Sequence, residues 1–175
     1  QKSGIAIHFA TAPDIPTFEK RLAEGEYDIA YMNPYHYIVF NKLVGYQALA
    51  KARDKRIKGI LVVAKNSKIN KLTDLEKSTL AFPAPAAFAA TILTQAELTV
   101  RQISFTPQYV SSHDSVYRSV AKGIYPAGGG VVRTFQNVAA EIRSQLSVLW
   151  TTKGYTPHAI ATHPRVKPNA APKLQ

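Results

Sequence analysis

The 175 residues contain no cysteine, which excludes disulfides, thiolate nucleophiles and cysteine-held zinc. An oxidising compartment stays open, because larger bacterial periplasmic proteins often manage without disulfides. Carboxylates are scarce: 11 Asp+Glu stand against 22 Lys+Arg, for a formal charge of +11, and such a balance favours anionic partners. Only Lys51, Arg53, Lys55, Arg56 and Lys58 cluster densely. No nucleic-acid-binding signature accompanies them, so they read as a solvated loop and nucleic acid is not a predicted partner.

Long apolar runs are missing too. None approaches the roughly 20 residues of a membrane span, and no amino-terminal signal-peptide pattern is visible, so a targeting segment was removed or never present. Catalytic signatures are equally scarce. The sequence has no HExxH, no GxSxG, no Walker A lysine motif and no GxGxxG. Five histidines are present, but His158 and His163 flank a predicted strand and point to opposite faces. Neither metal, cofactor nor catalytic residue is predicted. Ser112-His113-Asp114 has the letters of a triad, but consecutive residues cannot line up in that order, and a helix cap explains them.

What is present is an alternation of strand and helix patterns at 46% hydrophobic content, enough core for one medium domain or two small lobes. The most informative stretch is 79–98, TLAFPAPAAFAATILTQAEL. A short apolar run meets two prolines and then an alanine-rich helix, a strand-to-helix turn whose first N–H groups lack intrahelical partners and can receive an anion. Before it, Gly4–Ala10 alternates as a strand. Asp14 caps a helix with Ile15, Phe18 and Leu22 inward and Gly25 as its stop, and Tyr27–Met32 is a strand. Asn33-Pro34 opens a helix with Ile38, Val39 and Leu43 inward and Gly45 at its end. Tyr46–Arg53 and Gly59–Lys65 are strands, and Thr73 with Glu76 reads as a capping box. After the anchor come a strand over Ile103–Val110, a helix capped by Ser112 and closed by Gly123, and a strand from Ile124 into a Gly128-Gly129-Gly130 turn. Asn137 then caps a helix to Leu146, followed by strands over Val148–Thr151 and His158–Thr162 and a proline-rich, polar tail from Pro164. This order predicts an α/β fold with mainly parallel sheets.

Binding features outweigh catalytic ones: the helix starts after Ala84 and Ser112, the glycine turn, and the aromatic segment YMNPYHY from Tyr31 to Tyr37. Four segments in order, EGEYDIAYMNP, KGILVVAKNSKINKLTDL, LAFPAPAAFAA and SSHDSVYRSVAKG, resemble the phosphonate and phosphate-type substrate-binding proteins of bacterial ABC importers, over roughly residues 14–163. The resemblance implies a two-lobed type 2 periplasmic-binding fold, with lobe one at 1–66 and 156–175 and lobe two at 67–155, closing on a ligand in an interlobe cleft. It implies Tyr31, Asn33 and Tyr35 on one side, and Ala86, Ala87, Phe88, Ala89, Ser112, His113, Gly128, Gly129 and Gly130 on the other. His113 matches a histidine of the family pattern.

Two departures from the family stand out. Where its importers carry a Ser-Thr-Ser run, this chain has Ala87, Phe88 and Ala89, so backbone amides remain but hydroxyls do not. The acidic groups that would hold an aminophosphonate's amine have no counterpart around Pro126–Gly130. The pattern lacks the family's first strand and helix and its last helices, so lobe one is expected to be incomplete at both ends and the chain to be a fragment. The predicted function is a non-enzymatic binding domain for a small anion, periplasmic or otherwise extracytoplasmic and held at the membrane through segments outside this sequence. It would serve an ABC permease in uptake or a fused signalling module in sensing. The alternative is an α/β enzyme using His113 as acid or base on an anionic substrate.

Overall fold

Ile60, Leu61, Val62 and Val63 are each at most 3% exposed, as an uninterrupted apolar strand must be when both sheet faces are covered. The computed structural model describes residues 5–166. In it these residues form β3 (Gly59–Ala64), and their side chains alternate between two cores. Leu61 and Val63 pack with Leu72, Leu75, Leu80, Phe82, Leu98 and Ile103. Ile60 and Val62 pack on the other face with Ala81, Val116, Tyr117, Val120 and Leu146. Both clusters belong to one compact unit, Arg56–Tyr155, here called unit 2.

Unit 2 is built on a five-stranded sheet that also contains β4 (Ser78–Phe82), β5 (Phe105–Tyr109), β6 (Ala127–Val131) and β7 (Leu146–Thr151), in the order β5-β4-β6-β3-β7. β4 lies parallel to β5 and β6, whereas β3 is antiparallel to β6 and β7. Two helices make the parallel crossovers. α3 (Leu93–Val100) follows β4 through a π-helical turn at Phe88–Ile92, and α4 (His113–Ala121) links β5 to β6. Two short helices, α5 (Val132–Asn137) and α6 (Ala140–Arg143), connect β6 to β7.

Unit 1 comprises Gln1–Lys55 and Thr156–Gln175. Its sheet runs β1 (Ile29–Met32), β8 (Ala159–Thr162), β2 (Gln47–Lys51), with β8 antiparallel to both neighbours. α1 (Ile15–Ala23) is capped by the Asp14 carboxylate, which accepts from Thr17 N–H at 2.8 Å. α2 (Pro34–Val44) ends on Gly45 at φ 92°, the left-handed stop that glycine supplies without strain. Leu22, Ala30, Met32, Phe40, Tyr46 and Ala161 form the core, and the Tyr46 hydroxyl donates to the Tyr27 carbonyl at 2.7 Å.

The α/β class holds, but several sequence expectations are corrected. The sheets are mixed and not mainly parallel, because β3 and β8, the strands by which the chain enters each unit from the other, run against their neighbours. The first unit boundary falls at Lys55/Arg56 and not at 66/67, since β3 is hydrogen-bonded into the unit 2 sheet. Residues 5–10 form no strand, with Ile7 63% and Phe9 91% exposed, and Gly4 lies outside the described residues. The cap at Asn33 sets the phase of α2 so that His36 and Phe40 face inward, leaving Ile38 and Leu43 exposed. Asp74, and not Glu76, receives the N–H groups of Asn70 and Lys71 at the 3₁₀ turn Leu72–Leu75. Glu76 instead accepts from Ser104 N–H at 2.9 Å and from its hydroxyl at 2.5 Å. Gly128-Gly129-Gly130 is the middle of β6 and not a turn, and Asn137 ends α5 where a cap was expected. Of the predicted tail, residues 167–175 lie outside the described residues.

The β6 glycines reflect close packing. A Cβ on Gly129 would stand 2.0 Å from the Ala90 carbonyl oxygen, and one on Gly59 would stand 2.0 Å from that of Ala89. Gly123, by contrast, sits at φ 72° with nothing within 4 Å of a built Cβ. Gly129→Ala should therefore cost at least ~3 kcal/mol, beyond ordinary overpacking, while Gly123→Ala should cost only about 1 kcal/mol of left-handed strain. Urea denaturation of the two variants checks this, and equal losses would refute the packing assignment.

Candidate functional site

β4, β5 and β6 are parallel neighbours, so their carboxyl ends share one edge of the unit 2 sheet. Chains leaving that edge start helices, an arrangement that gathers unpaired N–H groups. After β4 the loop is tied back on itself: Ala87 N–H donates to the Ala84 carbonyl at 3.2 Å, and the buried Thr91 hydroxyl donates to the same oxygen at 2.8 Å. Ala87 is the helix N-cap, and its carbonyl accepts from Thr91 and Ile92 at 2.7 and 3.3 Å. The N–H groups of Phe88, Ala89 and Ala90 thus precede the first intrahelical donor, which is the geometry that receives an anion. Ala86, Ala87 and Ala89 are buried, and Phe88 is half-buried.

After β5 the chain turns through Ser111, a non-glycine residue at φ 72°, and Ser112 N–H closes the turn on the Val110 carbonyl at 3.0 Å. A left-handed non-glycine residue costs on the order of 1–3 kcal/mol and persists only where its surroundings hold it; here Val110 N–H is fastened to the Phe82 carbonyl at 2.9 Å. The Ser112 hydroxyl is committed as a cap, accepting from Ser115 N–H at 3.0 Å. Asp114 pairs with Arg118 at 2.5 Å. These bonds confirm the capping explanation of Ser112-His113-Asp114. The His113 Nδ1 is buried without a hydrogen-bond partner, and burial lowers the imidazole pKa to about 4, so the ring is neutral at pH 7.

The glycines expected to line the site do not present themselves to a ligand. Gly128, Gly129 and Gly130 are buried, and built Cβ atoms would meet Val116 at 2.4 Å, the Ala90 carbonyl oxygen at 2.0 Å and the Tyr117 hydroxyl at 2.3 Å. Tyr117 is itself committed, at 2.7 Å from the Thr134 hydroxyl. Sequence reasoning missed Lys153 and Tyr155. Ile57 and Tyr155 exchange backbone hydrogen bonds at 3.0 and 2.9 Å, the Tyr155 ring meets Phe88 edge-on at 5.8 Å, and Lys153 Nζ lies 5.4 Å from the Tyr155 ring centre. The available signal was a Lys-Gly-Tyr triplet just ahead of the last predicted strand.

In unit 1, Tyr31 is 56% exposed and stacks on His158 at 4.8 Å, and Tyr35 is 40% exposed. Asn33 is occupied, its side-chain oxygen accepting from His36 N–H at 2.8 Å. His36 is buried among Phe18, Tyr35 and Phe40, with Nε2 3.3 Å from Glu19 Oε1 but without hydrogen-bond alignment. Burial first, and His158 second, lower its pKa to about 4, while burial raises that of Glu19. Among the described residues no group of three or more acidic or histidine side chains could hold a metal ion. No helix there is long and apolar enough to cross a membrane.

The model of the family described as "ABC transporter, phosphonate, periplasmic substrate-binding protein" matches residues 1–175. No curated protein matches the sequence. Among solved structures, PhnD1 from Prochlorococcus marinus in complex with methylphosphonate superposes with a TM-score of 0.88 at 14% identity, covering 99% of this chain and 71% of that one. A binding protein component of an ABC phosphonate transporter from Pseudomonas aeruginosa gives 0.82 at 16% identity, covering 99% and 63%. A Xanthomonas citri protein bound to chloride ion gives 0.76 at 16% identity, covering 93% and 66%. At these identities the likeness establishes the fold, and the chain spans about two thirds of the length of these structures.

The buried His36 and the half-buried His113, whose Nδ1 is buried, set a pH dependence. Their unfolded pKa is near 6.5 and their folded value about 4, so between these limits the unfolded chain binds protons that the folded chain refuses. Their contribution is complete above pH 6.5 and is lost as pH falls toward 4, by up to about 3 kcal/mol per histidine. Urea titrations at pH 7 and 4.5 should show a smaller loss in His36→Asn than in the parent; equal losses would mean that His36 is not held neutral by burial.

Proposed function

The chain belongs to the phosphonate family of periplasmic substrate-binding proteins of ABC transporters, and from that premise we propose that it is a non-enzymatic binding domain that captures a small anion at the helix starts of unit 2. The observation that carries this reading is that the first-turn N–H groups at Phe88–Ala90 and the unpartnered His113 Nδ1 both belong to helix starts that follow parallel strands. Such a site offers hydrogen bonds and a positive helix end, and the neighbouring Asp114 carboxylate is paired with Arg118. It lacks the side-chain hydroxyls of the Ser-Thr-Ser pattern. The ligand's oxygens are therefore read by backbone amides and imidazole. The family description supports uptake through an ABC permease at an extracytoplasmic location, and sensing through a fused signalling module is the other setting for the same binding.

An enzyme using His113 as acid or base is the second reading, since a neutral buried imidazole nitrogen suits a general base. Against it, Nδ1 has no hydrogen-bonded group to orient it, and the hydroxyl and carboxylate beside it are occupied by Ser115 and Arg118.

Thermal shift with sulfate, phosphate and methylphosphonate tests the binding reading. A ligand at 100 times its dissociation constant stabilises by about 2.7 kcal/mol, and no shift with any of the three would count against it. A bound anion favours the imidazolium, so affinity should rise as pH drops from 7 toward 4.5. His113→Ala should weaken binding by about 1–3 kcal/mol and flatten that rise. Conversion of a bound phosphonate, followed by phosphorus NMR, would move the assignment to the enzyme.

A further inference from the structure

Resting on that anion-binding reading, we propose that the ligand carries an apolar or aromatic substituent on its anionic group, and that Phe88, Tyr155 and Lys153 select it. Phe88 is the only residue between Ala86 and Ala90 with a side chain larger than methyl. The carbonyls of the two residues after it fill the space where side chains at Gly59 and Gly129 would stand, so the turn is seated on the sheet. The half-buried Phe88 ring instead meets Tyr155, edge to face at 5.8 Å and 90°. Lys153 Nζ lies 5.4 Å from the Tyr155 ring centre, and among the described residues Lys153 makes no ion pair.

These side chains project from a held backbone. Ile57 and Tyr155 are bonded in both directions. The Thr152 hydroxyl accepts from Gly59 N–H at 3.0 Å and donates to the Lys153 carbonyl at 2.7 Å. The Phe88 ring at the helix start, the Tyr155 ring against it and the Lys153 ammonium near that ring are thus held together, with little ordering left for a ligand to impose. A bare inorganic anion uses the amides and the ammonium and leaves both rings idle. An anion bearing a flat substituent uses all of them, because offset and edge-on ring contacts add to burial.

Calorimetry of the whole chain with phenylphosphonate and methylphosphonate tests the proposal. The parent should bind phenylphosphonate about tenfold more tightly, the scale of one aromatic contact. Tyr155→Ala should bring the two affinities together, and Lys153→Gln should weaken both while keeping their ratio. The parent ratio alone decides even if Tyr155→Ala does not fold. Equal affinities, or a preference for methylphosphonate, overturn the substituent proposal and leave the anion site standing. Absence of binding by both probes overturns the anion-binding reading and this proposal with it.

Discussion

The first turn of the helix after β4 rests directly on the unit 2 sheet, and this contact constrains much of what surrounds it. The Ala89 and Ala90 carbonyls occupy the positions where Cβ atoms of Gly59 and Gly129 would be. No L side chain fits beneath them, so β3 and β6 must carry glycine at those points. In the turn itself, alanine is small enough for close seating, and the hydroxyls of Thr91 and Thr94 fold back onto the Ala84 and Ala90 carbonyls. The widened π-helical turn at Phe88–Ile92 is where this seating is accommodated. The turn follows the carboxyl end of β4, and Phe88 is the one large side chain between Ala86 and Ala90.

The electrostatics of unit 2 follow from where its few carboxylates are used. Asp74 closes the 3₁₀ turn, Glu76 ties to Ser104, Glu97 pairs with Arg101, and Asp114 pairs with Arg118. Each neutralises local donors, and none of these bonds reaches the Phe88–Ala90 amides.

Histidine burial is a second theme. His36 and His113 lie in different units and both start helices behind a side-chain cap, Asn33 in one case and Ser112 in the other. Placing a ring at a helix start, where the dipole is positive, and burying it both disfavour the proton. His36 is enclosed by aromatic rings, whereas His113 has an unpartnered nitrogen at the amide-rich edge of the sheet, which is why the second carries a functional reading.

The sequence alone determined the local features. The caps at Asp14, Asn33 and Ser112 and the stop at Gly45 depend on neighbours a few residues apart and are found as read, and the strand read over Gly59–Lys65 is found at Gly59–Ala64. The family order of segments was equally legible, because it needs only the linear arrangement. Tertiary structure decided what depends on distant partners. β3 and β8 reverse the strand pairing, and the phase of α2 turns Ile38 and Leu43 outward. Packing by Val116, Ala90 and Tyr117 converts the triple glycine from a turn into a strand. Tyr155 joins Phe88, and Lys153 joins Tyr155, only because Tyr155 pairs with Ile57, far away along the chain, and a contact closed over so long a loop leaves no periodicity in the chain to be read.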